Sequence, residues 1–227
     1  MLIELALLLL WLVPVVWVRS WVSKTLDRGF EIPARSAKTG AEIAGELLAL
    51  NKGPTVSILR AIGPPLDFFD ARRRELRFSK AVHDGGSLTS VALAAIETSQ
   101  ATRRDRGALV RAWTSPIADL IAGSGWIVLI SGVFVWWPML AHLGLDLLNA
   151  ALLIGLLTLP AELIAARDAR ASLAKTEATT LDEEAILDAI LLAGALRPVA
   201  APLNLPLLPL EAMGKLLKRG SRTRRNS

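Results

Sequence analysis

The stretch Ala94-Ala95-Ile96-Glu97-Thr98-Ser99-Gln100-Ala101 decides how this chain is read. It is a run of small and apolar residues around a single acid, headed by Ser87 as a helix N-cap. On a helix, positions 96 and 100 are one turn apart and share a face, with Glu97 beside them. The pattern H-E-x-x-H puts two imidazoles at those positions to grip zinc and uses the Glu as general base. Here Ile96 has no lone pair to donate, and Gln100 offers only a neutral amide. The helix has the layout of that motif without its metal ligands.

The flanking sequence supplies the rest of a small domain. Thr39 and Glu42 have capping-box spacing, which opens a helix expected to stop near Gly53-Pro54. Val56–Ala61 and Glu75–Ser79 alternate as strands, with Gly63-Pro64-Pro65 and Asp70-Ala71-Arg72 as turns. The helix that Ser87 caps is expected to run past Glu97 towards Arg111. Further on lies Thr158-Leu159-Pro160-Ala161-Glu162, at the end of a long apolar stretch.

Taken together, these stretches resemble the YugP-type membrane zinc metallopeptidases, the neutral zinc metallopeptidases. Asp67-Phe68-Phe69-Asp70 stands where that family reads D-H-Y-D, and Glu75-Leu76-Arg77-Phe78-Ser79 is similar to its V-R-L-S. Ser87 to Ala95 leads into the motif as S-I-A-A-V-x-V-A-A leads into H-E-V-G-H, without a gap from Asp67 to Gln100. Thr158 to Glu162 resembles T-L-P-V-E, whose Glu the family uses as third zinc ligand. The likeness extends from the first apolar segment to about Leu196. It implies a zincin-like fold, with the general base at Glu97 and a ligand position at Glu162. The departures fall on the chemistry: Ile96 and Gln100 replace both His ligands, Ser99 replaces the Gly between them, and Phe68 replaces the His of D-H-Y-D.

Composition narrows the alternatives. Hydrophobic residues make up 52% of the 227, and the mean hydropathy is +0.44. The absence of Cys rules out disulfides and thiolate metal sites. With only His83 and His142 available, a His-rich metal centre is excluded as well. The chain carries a net charge of +5, yet no Lys or Arg occurs from Met1 to Val18 or from Ala112 to Ala166. A bilayer sorts residues in this way, because a basic residue at its centre costs about 2.5–3.5 kcal/mol on insertion scales. The basic residues do not interleave with aromatics, so nucleic acid is not an expected partner. No G-x-S-x-G elbow, P-loop or dinucleotide glycine pattern is present.

The expected architecture is a mainly α membrane protein with about three transmembrane helices and a small zincin-like α+β cytoplasmic domain. Residues 1–18 form an N-terminal signal-anchor helix with Trp17 and Trp21 at the interface, and 19–115 the cytoplasmic domain. Residues 116–161 hold two spans, Pro116–Pro138 and Leu140–Leu159, with Gly123, Gly125 and Gly132 permitting close helix approach. A cytoplasmic helix follows over 162–184. The apolar segment 185–210, broken by Arg197 and four prolines, is re-entrant, interfacial or a fourth crossing. A basic tail, 211–227, stays inside by the positive-inside rule, as does the central domain. A multi-pass protein of a bacterial inner membrane is the expected setting.

Two readings of the surviving carboxylates remain open. In one, Glu97 and Glu162 face each other across a helix pair and, with Gln100, hold a hard cation such as Mg²⁺ or Ca²⁺. In the other they are inherited geometry: Glu97 pairs with a basic neighbour such as Arg103 or Arg104 or becomes protonated, and Glu162 pairs with Arg167 or reaches water, since an unpartnered buried carboxylate is costly. The second leads to the main expectation. It is a catalytically inactive homologue without metal or cofactor, acting as a binding, regulatory or scaffold subunit beside a membrane-protein partner. The alternative is an active membrane hydrolase with an atypical metal site built on Glu97 and Glu162. Two basic groups are candidates for contact with anionic lipid: Arg72, Arg73 and Arg74 in the domain, and Lys218 and Arg219 in the tail.

Overall fold

The computed structural model describes residues 2–51, 55–61, 67–103, 106–176 and 181–200. Its centre is the motif helix. Eight helices and three strands are described: α1 (Leu2–Glu31), α2 (Gly40–Leu50), β1 (Ser57–Arg60), β2 (Phe68–Asp70), β3 (Glu75–Phe78), α3 (Lys80–His83), α4 (Leu88–Thr102), α5 (Arg106–Phe134), α6 (Pro138–Lys175), α7 (Leu181–Ala195) and α8 (Arg197–Ala200).

Every residue of α4 from Leu88 to Ala101 is buried. A helix with no polar stripe belongs inside a core, and α4 is enclosed by α1, α2, α6, α7 and the sheet. The hydroxyl groups of Thr89, Ser90 and Thr98 are satisfied locally or by neighbours. The Ser87 side chain accepts from the Ser90 amide at 3.2 Å, Ser90 donates to the Ala81 carbonyl at 2.9 Å, and Thr89 donates to the Leu26 carbonyl at 2.9 Å. Alanines at 92, 94 and 95 let the surrounding helices approach closely. The core then fills with Ile43 and Leu47 of α2, Leu76 and Phe78 of β3, Ala165, Ala169 and Leu173 of α6, and Leu187, Ile190 and Leu191 of α7.

The sheet has order β1-β3-β2, with β1 parallel and β2 antiparallel to β3. The two-residue period of β3 sends Leu76 and Phe78 inward and leaves Glu75 and Arg77 paired at 2.7 Å on the other face. Asp70 shapes the β2–β3 turn by accepting from the amides of Arg72 and Arg73, and Arg74 takes a left-handed φ of 55°. The two expected strands are present; β2, inside the Asp67–Asp70 stretch, is an addition. The capping box at Thr39 and Glu42 is formed as its spacing requires. The helix behind it ends at Leu50, and residues 52–54 lie outside the described residues.

Two expected boundaries move. α4 does not run on towards Arg111: it stops at Thr102, and Arg103 is extended with ψ 122°. Its guanidinium turns to Asp168 of α6 instead, at 2.9 Å. There is also no separate helix over 162–184. α6 continues unbroken through Pro160 to Lys175, and α7 starts afresh at Leu181.

α5 and α6 form a hairpin that depends on missing side chains. A Cβ on Gly132 would lie 2.4 Å from the Ala141 amide nitrogen, and one on Gly144 2.4 Å from that of Leu129. Gly125 sits against α6 less tightly, a Cβ there lying 3.0 Å from Leu148 Cγ, and close approach at 125 and 132 is as the reading of these glycines anticipates. Among the described residues, α6 is the one helix long and apolar enough to cross a membrane, and Leu120–Phe134 of α5 is a shorter apolar stretch. At 38 residues α6 is about 57 Å long, well beyond the ~30 Å of a hydrocarbon core. Its C-terminal half therefore projects into the domain, where it lines the core beside α4.

The apolar run from 185 is used by that same core. α7 packs on α1, α4 and α6, and α8 follows with Val199 against Val15 and Leu152. Residues 201–227, with the remaining prolines and the basic tail, lie outside the described residues.

Candidate functional site

The face of α4 that carries positions 96 and 100 meets α6 on one side and the α7–α8 junction on the other. Gln100 and Glu162 are in direct contact: the amide Nε2 donates to Glu162 Oε2 at 2.8 Å. Two residues 62 apart in sequence are thus brought together. Ile96, one turn earlier on α4, is fully buried. Its Cδ1 lies where a Cβ on Gly194 would come within 2.6 Å, so Gly194 is the gap that admits the isoleucine.

Glu97 is only 4% exposed, and it is not left uncompensated. Arg197 Nη2 donates to Glu97 Oε1 at 2.6 Å, and Arg197 Nε donates to the Gly194 carbonyl at 3.3 Å. This pair joins the middle of α4 to the start of α8 across 100 residues of sequence. Local sequence offered Arg103 and Arg104 as partners; Arg103 pairs with Asp168, and Arg104 lies outside the described residues. Arg197 was legible only as the residue that interrupts an apolar run. A lone cation at the end of such a run, in a chain with a buried acid to satisfy, is the signal that points to it.

These residues do not fit a tetrahedral zinc ion. Ile96 has no donor atom and fills its space with carbon. The Gln100 amide turns its N–H, not its oxygen, towards Glu162, and so faces the carboxylate as a donor and not as a second metal ligand. The Glu97 carboxylate is engaged by a guanidinium. Among the described residues no three His, Cys, Asp or Glu side chains converge as a metal-binding group.

The remaining candidates lie elsewhere. Arg72, Arg73 and Arg74 are exposed on the β2–β3 turn, away from α4. Lys218 and Arg219 lie outside the described residues. His83 is hydrogen-bonded through Nδ1 to Asp84 at 2.6 Å, and Asp84 also pairs with Arg60 at 3.3 Å. The His83 hydrogen bond, helped by Arg60, holds the Asp84 carboxyl below the usual carboxylate range. Phe68, at the His of the D-H-Y-D pattern, is half-buried in β2.

The family model described as "Putative neutral zinc metallopeptidase" matches residues 4–210. The "Putative membrane protease YugP" of Bacillus subtilis (strain 168) is 30% identical over 190 residues, which covers 82% of this chain and 84% of that protein. No solved structure matches significantly. The match runs through the motif helix, Glu162 and Arg197 alike, and with the contact between positions 100 and 162 it leads to one conclusion: the chain belongs to the neutral zinc metallopeptidase family, whose relative is named a membrane protease.

Proposed function

We propose that this chain is a non-catalytic member of its family, a membrane pseudopeptidase that acts by binding. One observation carries the reading: the two positions that must supply imidazoles hold Ile96 and Gln100, and Gln100 is hydrogen-bonded to the third ligand position, Glu162. Peptide hydrolysis by a zinc enzyme needs an ion held by three side chains with an open position for water. Here the first ligand position is filled by a carbon side chain, the second and third satisfy each other, and the general-base position is tied to Arg197.

The membrane arrangement belongs to the same reading. α1, α5 and α6 cross the bilayer, and α6 delivers Glu162 to the domain at the cytoplasmic face. The basic stretch from Arg19 to Arg111 then lies inside, and the α5–α6 turn with Trp136 and Trp137 outside. Partner helices within the bilayer, or a protein docked on the domain, are the expected companions. The exposed apolar side chains of the hairpin, among them Leu120, Ile127, Leu153 and Leu157, suit lipid or another helix.

Metal analysis of the full-length protein purified in detergent tests the proposal. Less than a tenth of an equivalent of tightly held zinc supports it (~0.1, against one ion per chain for a catalytic site). Stoichiometric zinc that is lost in Glu162→Ala would instead establish the rival reading, a working hydrolase on Glu97 and Glu162.

A further inference from the structure

The site lacks metal ligands, yet it keeps a buried acid that in a metal site would lie beside a divalent ion. We propose that Arg197 is the resident cation of this site: its guanidinium supplies the positive charge to Glu97 and, by occupying that place, keeps the site closed to divalent metal independently of the missing histidines. The inference rests on the assignment of positions 96, 100 and 162 as the ligand positions, and goes beyond it.

Three observations carry it. The guanidinium is held at two points, by Glu97 Oε1 at 2.6 Å and by the Gly194 carbonyl at 3.3 Å, so its charge is placed rather than loosely attracted. Its backbone is anchored as well. Immediately after it, the Pro198 carbonyl comes within 2.8 Å of where a Cβ on Gly155 would be, and Val199 is buried against Val15 and Leu152. Finally, the same junction closes the first ligand position, because Gly194 makes room for Ile96 three residues before Arg197. One short stretch, Gly194 to Arg197, thus makes room for the isoleucine at one ligand position and supplies a charge. A divalent ion entering beside the buried Glu97 carboxylate would meet a fixed, part-buried positive charge at short range, where repulsion is less screened than between exposed groups.

Loss of ligands alone and loss of ligands plus a resident cation make different predictions. The zinc affinity of full-length protein in detergent is measured by competition with a chromophoric chelator. Three chains are compared: wild type, Ile96→His/Gln100→His, and the same double variant with Arg197→Gln. Folding of each is checked by gel filtration and circular dichroism. The proposal expects the triple variant to bind zinc tighter than the double by roughly tenfold or more, as removal of a nearby like charge requires. Equal or weaker binding in the triple variant overturns it, as does a failure of both folded variants to take up zinc.

Should the histidine variants not fold, the native background decides. Arg197→Gln is expected to lower the melting temperature, Arg197→Lys to lower it less, and Glu97→Gln/Arg197→Gln to recover most of the loss. No recovery overturns the proposal. Zinc in the wild type would sink the non-catalytic reading instead, so the two failures are distinguishable.

Discussion

A neutral amide at position 100 changes what Glu162 can do. A histidine there would share a metal with the carboxylate; glutamine donates to it directly and needs no ion. Replacing Gln100 with Glu puts two carboxylates in contact. One must then take up a proton or both must separate, so Gln100→Glu is expected to cost about 1–3 kcal/mol at neutral pH. The penalty shrinks as the pH falls and a shared proton restores the hydrogen bond; thermal melts at several pH values check it. The Glu97–Arg197 pair carries larger stakes. Removing the guanidinium from this part-buried pair takes a charge-assisted hydrogen bond from a buried carboxylate, and Arg197→Met should show a loss of about 1.5–3 kcal/mol in denaturant unfolding. Positions 96, 97, 100 and 162 were legible in the sequence because each lies in a short motif. Arg197 was not: its partner lies 100 residues away, and no local periodicity encodes a pairing of that range.

Local chemistry explains which elements could be foreseen. Thr39, Ser79 and Ser87 each accept from an amide in the first turn they cap, and Thr39 and Glu42 complete a reciprocal box. Thr39→Ala is expected to cost about 1 kcal/mol of stability, measured by denaturant titration. The Thr39 backbone amide, and then its hydroxyl, hold the Glu42 carboxyl below its ordinary pKa. The sign follows. A carboxyl with a depressed folded pKa stabilises at pH above its unfolded value of about 4.5, and the contribution is lost as the pH falls through the folded value. Glu42→Gln should therefore flatten the acid limb of the stability profile below that value and leave the neutral region with only the weaker amide hydrogen bonds. The α5–α6 hairpin depends on glycine in the same local way. Gly144→Leu would drive a side chain into the Leu129 backbone, so loss of the folded monomer on gel filtration is the expected result, whereas Leu143→Ala, on an exposed neighbour, should be tolerated. What could not be foreseen were β2, only three residues long, and the break at Arg103. Residues 101–106 hold no Gly or Pro to mark a stop, and the contact that draws Arg103 away is with the distant Asp168.

At the scale of the molecule, one long helix joins the candidate membrane span to the site. α6 begins at Trp137-Pro138 with exposed apolar side chains and ends inside the domain core with Ala165, Ala169 and Leu173 buried. The gap in basic residues from 112 to 166 made its apolar half legible, but its continuation as a core helix was hidden, because small residues such as alanine serve membrane and core equally. The absence of cysteine makes the proposed orientation easy to test. In intact cells, a membrane-impermeant maleimide is expected to label Met139→Cys but to reach Arg73→Cys only after lysis; the opposite pattern would invert the topology. In the proposed reading Gln100 and Glu162 bond to each other where an active relative would hold a metal. The most direct test of that reading is the zinc content of the full-length protein, purified in detergent from zinc-supplemented cells. We predict far less than one equivalent, unchanged in Glu162→Ala. One zinc per chain, removed by that substitution, would contradict it.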